Sequence, residues 1–263
     1  MEIGLTSITF ANEEIEEVIA SLRSGNVTMG AKCSAFEAAF ATYAKARNSV
    51  FVNSGSSANL LAWFALANPL WKSPFTPGFE VIVPAVAWST TIWPIVQAGG
   101  IPVLVDCDPE TLTICIPSIE AAITERTVAV SPVHPLGNVC DMTALTALCD
   151  RHGLELIEDT CESLGSRYKS TLAGRFGIMG TYSFYFSHHI TTVEGGMIVT
   201  DDDELATLLR ILRSHGWSRQ DKKASEVSFA DRYRFVTTGF NVRPSELNAA
   251  FGLHQLPKLA LSE

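Results

Sequence analysis

Apolar and polar positions run along this chain in two rhythms, and each predicts a different element. Apolar residues recurring every three to four positions predict helices. In 13–24 they place Ile15, Val18, Ile19 and Leu22 on one face, and the rhythm returns over 33–46, 56–66, 88–98, 142–152 and 203–214. Asp141 and Gly153 stand where a helix over 142–152 needs its caps. Pro94 is expected to kink or delay the 88–98 helix, and Pro117 to open another at a first-turn position. Short, wholly apolar runs predict strands at 49–52, 81–83, 102–105, 128–133, 154–157, 182–186 and 197–200. Strands apolar on both faces and separated by helices predict an α/β fold, a mostly parallel sheet covered on both sides. The charged stretch 220–234 reads as a surface excursion, and 245–256 opens a fresh amphipathic pattern close to the end of the chain.

Composition narrows the function classes. Of 263 residues, 47% are hydrophobic and the formal net charge is −9. Such an acidic chain is not expected to carry a nucleic-acid surface, although a local pocket for a nucleotide remains compatible with it. Residues 1–17 hold five glutamates and no basic stretch, so no secretory signal is expected. The longest apolar stretch, 58–71, is interrupted by Asn59, Asn68 and Pro69 and is shorter than the roughly 20 residues of a membrane span. A soluble, cytoplasmic protein without membrane contact is expected. Cys33, Cys107, Cys115, Cys140, Cys149 and Cys161 form no CxxC pair. They read as buried small hydrophobes, with no metal site expected.

In open α/β sheets ligands gather at the carboxyl ends of the strands, and several polar residues fall there. Ser54-Gly55-Ser56-Ser57-Ala58-Asn59 joins a strand to a helix, where glycine and free amides suit a phosphate or simply a tight turn. Asp159 follows a strand and could pair with a protonated ring nitrogen or cap a helix. Ser183 and the pair His188-His189 sit in or after another strand; a histidine there is a natural general base, or one ring is packed and the other solvated. Trp88 could stack on an aromatic ligand or belong to the core.

Taken in order, these segments resemble the DegT-type sugar aminotransferase family, a branch of the fold-type-I pyridoxal-phosphate enzymes. The residues that carry the likeness are 53–59, Val83-Pro84-Ala85 with Trp88-Ser89-Thr90, Val105-Asp106, Leu136-Gly137, Glu158-Asp159, 190–196, 213–216 and 239–243. The resemblance implies an aspartate-aminotransferase-like large domain over 31–245, with a mostly parallel seven-stranded sheet flanked by helices. It further implies an N-terminal helical arm over 1–30, and a C-terminal segment from 246 whose small domain is expected to be missing. It also implies a phosphate cradle at Gly55, Ser56, Ser57 and Ser183, a ring stacked on Trp88, and Asp159 at the ring nitrogen. Glu162 joins the cofactor set, with Asn248 reaching the phosphate from the second subunit of a homodimer. His215 and Arg219 are implied for the substrate.

One position departs from the family. Its covalently linking lysine stands two residues before the isoleucine of the ITTxEGG run, and here that place holds His188. The chain has seven lysines and none between Lys169 and Lys222. The histidine variant resembles the family's nucleotide-sugar 3-dehydratases, nearest to those acting on GDP-4-keto-6-deoxy-D-mannose in colitose biosynthesis. It implies catalysis by His188 and noncovalently bound pyridoxal or pyridoxamine phosphate regenerated by L-glutamate. An iron–sulfur-dependent branch carries cysteines around and beyond the histidine; none follows Cys161, so no cluster is expected. A nucleotide-sugar aminotransferase and a non-catalytic cofactor- or sugar-binding relative are the competing readings.

Overall fold

The computed structural model describes residues 8–218 and 233–259. Helices α1 (Asn12–Ser24) and α2 (Ala31–Ala44) lead into strand β1 (Asn48–Val52) and α3 (Gly55–Leu66). Then come β2 (Glu80–Pro84), α4 (Ser89–Gln97), β3 (Ile101–Val105), α5 (Ile116–Ala122) and β4 (Thr127–Val130). Helix α6 (Met142–His152), β5 (Glu155–Asp159), the short pair β6 (Arg167–Tyr168) and β7 (Thr171–Leu172), and β8 (Met179–Ser183) follow. Strand β9 (Gly196–Thr200), α7 (Asp203–Arg213) and α8 (Glu246–Leu259) complete the described order.

Seven strands form one sheet in the order β1-β9-β8-β5-β4-β2-β3. Only β9 runs against its neighbours, β1 and β8; the pairs from β8 to β3 are parallel. This is the mostly parallel α/β architecture expected from the pattern. Strand alternation explains the unbroken apolar runs. Val50, Val52, Val81, Val83, Ile157 and Ile198 point into one core with α3 and α7. Phe51, Met197 and Val199 face the opposite side with α2 and α8, where Phe36, Phe40, Tyr182 and Phe184 pack edge to face. Ile82, Val130 and Leu156 pack beneath α5 and α6 in a third cluster.

Three expectations need correction. Strand β8 covers Met179–Ser183 and not 182–186, because its pairing with β5 begins at Ile157–Met179 and the chain turns after Ser183, with His188 N–H donating to Tyr185 O at 3.0 Å. Strand β4 stops at Val130; Pro132 then has no N–H to give a ladder. In α1 the buried positions are Glu14 and Ser21, while Ile15 is 42% and Leu22 54% exposed. The carboxylate of Glu14 faces inward because Lys258, Gln255 and the N–H of Ala11 all donate to it. The caps of α6 are as expected: Asp141 accepts from Ala144 N–H, and Gly153 is left-handed. Most of the charged stretch 220–234 lies outside the described residues. Among the described residues no helix is long and apolar enough to cross a membrane.

Candidate active site

The carboxyl edge of the sheet gathers three loops around one point. Strand β1 ends at Val52 and α3 starts at Gly55, with Ser54 as its N-cap accepting from Ser57 N–H at 3.1 Å. Helix N-termini present unpaired N–H groups and positive potential, a preference for anions. Gly55 lies against the end of β8: a Cβ there would stand 2.5 Å from Ser183 Cβ and 3.0 Å from Cys161 Sγ. Only glycine lets α3 come this close. Gly55 and Ser183 are therefore in contact, with Ser56 and Ser57 next to them in the first turn of α3.

Asp159 ends β5 and is 5% exposed. Its Oδ2 accepts from Asn59 Nδ2 at 2.8 Å and Thr91 Oγ1 at 2.7 Å, and its Oδ1 from Cys161 N–H at 3.1 Å. Every partner is a donor. Beneath it, Glu158 is wholly buried and accepts from the N–H groups of Gly174, Phe176 and Gly177. His134 lies 3.1 Å from the same carboxylate. Cys140 N–H donates to His134 Nδ1, which leaves the ring proton on Nε2 facing Glu158. Burial, with Asp159 beside it, pushes the Cys161 thiol well up, so it stays neutral.

Trp88 is the N-cap residue of α4 and is 72% exposed, so it is not a core tryptophan. His188 lies in the turn after β8. Its Nδ1 is buried without a hydrogen-bond partner, and its ring meets that of Tyr185 edge-on at 5.8 Å. His189 is held below the ordinary histidine range, first by desolvation and then by the adjacent His188.

The other candidates bond outside the cradle. Glu162 is exposed and accepts from Leu136 N–H at 3.1 Å, tying it to the neighbouring turn. Asn248 donates to the carbonyls of Thr192 and Glu194 and accepts from Ser245, so no side-chain bond of it reaches its own chain's cradle. His215 is exposed beside Arg243, at 3.4 Å. Arg243 and Asn248 line a separate cleft of ≈ 470 Å³ with Thr28, Met29 and Trp217. Arg219 lies outside the described residues.

Sequence reasoning missed Asn59, Thr91 and Thr181 as parts of this site. Asn59 read as the last residue of the 54–59 segment and as a break in an apolar run, not as a partner of Asp159. The available signal was its cost: a buried amide on an apolar helix needs partners.

Residues 9–262 match the model of the DegT/DnrJ/EryC1/StrS aminotransferase family. The chain belongs to this family. Among its DegT-family relatives, the GDP-4-keto-6-deoxy-D-mannose 3-dehydratase of Yersinia pseudotuberculosis is 42% identical, over 97% of this chain and 66% of the relative. The E. coli GDP-4-keto-6-deoxy-D-mannose-3-dehydratase with bound hydrated PLP superposes with a TM-score of 0.94 at 40% identity. That match covers 98% of this chain and 68% of the other. A GDP-4-keto-6-deoxymannose-3-dehydratase with a trapped PLP-glutamate geminal diamine gives the same TM-score and identity over 98% and 69%. The chain thus spans about two thirds of the length of the DegT-family relatives it matches.

Proposed function

We propose that this chain belongs to a nucleotide-sugar 3-dehydratase that works with pyridoxal and pyridoxamine phosphate. It removes the C3 hydroxyl of GDP-4-keto-6-deoxy-D-mannose to give the 4-keto-3,6-dideoxy sugar, with L-glutamate as amino donor. The observation that carries this reading is His188. It occupies the family's lysine position with an unpartnered buried nitrogen, in the turn that follows β8, whose last residue Ser183 packs against Gly55. Four described lysines are engaged elsewhere, Lys32 with Glu17, Lys72 with Asp202, Lys169 with Thr143 and Lys258 with Glu14, and Lys45 is the C-cap of α2. Lys222 and Lys223 lie outside the described residues. A transferring lysine therefore has no support here, and the aminotransferase reading is the weaker one.

The residues fit the cofactor. The first amides of α3, with Ser56, Ser57 and Ser183, would hold its phosphate, and Trp88 would cover one ring face. Asp159, which accepts from three donors, keeps lone-pair capacity on Oδ1 for a ring N–H. When bound, the cofactor supplies an amine for the ketone and a sink for electrons. His188 would take and return a proton through its ring nitrogen, without making the covalent link that lysine makes. Glu162, Asn248, His215 and Arg219 would complete the cofactor and substrate contacts, Asn248 from a second copy in a homodimer working in the cytoplasm. Over a full cycle the C3 hydroxyl leaves as water, hydrolysis puts a water oxygen into 2-oxoglutarate, and the glutamate nitrogen leaves as ammonia.

Mass spectrometry of a reaction containing the protein, pyridoxal phosphate, L-glutamate and GDP-4-keto-6-deoxymannose tests this. A sugar nucleotide one oxygen lighter, with 2-oxoglutarate, is expected. An amino sugar would overturn the role given to His188.

A further inference from the structure

We infer that Asn59, together with Thr91, is a positioning residue that selects which oxygen of Asp159 meets the cofactor ring nitrogen. The inference rests on the cofactor reading above.

Its origin is a proline. Residue 94 of α4 would ordinarily donate its N–H to the carbonyl of Thr90, four residues back. Pro94 has no N–H, which leaves that carbonyl free. Asn59 Nδ2 donates to it at 3.1 Å. The other hydrogen of the same amide goes to Asp159 Oδ2 at 2.8 Å. Two acceptors on one nitrogen fix the amide's orientation, and Thr181 Oγ1 donates to the opposite end, Asn59 Oδ1, at 2.6 Å. Asn59 is itself 5% exposed, so these bonds are shielded from bulk solvent.

Thr91 adds the second donor to Oδ2 at 2.7 Å and is 2% exposed. An ionised carboxylate has about four lone-pair sites. Asn59 and Thr91 fill both on Oδ2, and Cys161 N–H takes one on Oδ1. The capacity that remains is on Oδ1, beside the Cys161 side chain; an ionised carboxylate can only accept there, so the ring nitrogen is to arrive with its proton. The same two residues join both ends of the cofactor site. Asn59 lies on α3, one turn after the phosphate cradle, and Thr91 lies one turn after Trp88, whose carbonyl accepts Thr91 N–H at 3.0 Å. Ser56 Oγ bonds Thr90 Oγ1 at 2.9 Å and clasps the two helix starts.

Pyridoxal phosphate labelled with nitrogen-15 in its ring tests this on the intact chain. Bound to the unmodified protein, the ring nitrogen should show the protonated chemical shift. Asn59→Ala and Thr91→Val should move that shift toward the unprotonated value and raise the dissociation constant about 10-fold, the scale of one charge-assisted hydrogen bond. Thr91→Ser should restore both, because it returns the hydroxyl; a defect of packing alone would not be rescued. A ring-nitrogen shift identical in all variants, with the cofactor bound, overturns this inference and leaves the cofactor reading standing. Failure of the unmodified protein to bind pyridoxal phosphate overturns both.

Discussion

One side chain and one missing side chain determine what the site can do. His188 presents a buried nitrogen without a partner, an arrangement that costs free energy unless a ligand or proton transfer uses it. Replacing it with lysine should lower dehydration about 100- to 10,000-fold, the usual weight of a general base. The lysine variant should also retain cofactor covalently. Product assays and the mass of the denatured protein measure both effects, and full dehydratase turnover in His188→Lys would refute the assignment. Gly55 is the missing side chain. A methyl group there would meet Ser183 Cβ at 2.5 Å, forcing α3 from β8. Gly55→Ala should weaken pyridoxal phosphate binding at least about 10-fold, as expected when a cradle built on close backbone approach opens. Fluorescence titration checks it, and an unchanged affinity counts against the cradle. Val193 belongs at this scale as well. It is β-branched yet has φ +69°, a conformation that costs about 1–2 kcal/mol. Its neighbours are tied by Asn248 to Thr192 O and Glu194 O. Val193→Gly should therefore raise the melting temperature, and a fall would show that the valine side chain contributes more than its strain costs.

Among the elements, α8 holds the N-terminal helices through buried carboxylates. Glu246 accepts from the N–H groups of Gly30, Lys32 and Cys33 at 2.8–2.9 Å, capping α2 from another helix. Glu14 of α1 is buried against Gln255 and Lys258 of α8. Burial alone would raise its pKa, but donors from Lys258, Ala11 and Gln255 outweigh it and bring the value from 4.5 to about 2. A depressed folded-state pKa means stability that is present above the unfolded value and lost as pH falls through the folded one. The stabilisation is therefore complete above pH 4.5 and disappears toward pH 2; at full size it is on the order of 3 kcal/mol. Glu14→Gln should melt lower than the unmodified protein at pH 7, with the gap closing between pH 4.5 and 2. A gap that stays constant over that range would show that the charge of Glu14 is not what stabilises the α1–α8 contact. The helical pattern of α1 was legible in the chain, but its buried face was not. Apolar periodicity points to Ile15, Val18, Ile19 and Leu22, while partners 241 and 244 residues away decide that Glu14 goes inside.

At the scale of the whole molecule, apolar surface remains uncovered beside the site. Val86, Trp88, Trp93 and Val96 on the loop after β2 and on α4, with Ile101 and Leu104 of the edge strand β3, are each more than 40% exposed. Exposed apolar residues in this number suit an interaction surface. Light scattering should give twice the 28.5 kDa chain mass; a stable monomer would remove the support for a shared active site. What the sequence determined by itself follows from local rules. Period-2 and period-3.6 patterns and proline and glycine at element ends are set within a few residues, so the parallel α/β class, the α6 caps and the start of α3 could be read directly. Spacing along the chain also marked the family and the histidine in its lysine position. Only the tertiary structure decided how distant residues meet. It placed Ser183 and not Phe186 at the end of β8, Trp88 at the surface, and Asn59 and Thr91 on Asp159. Those outcomes depend on strand register and on which buried donors find acceptors across 68 to 100 residues, a pairing that no local pattern encodes.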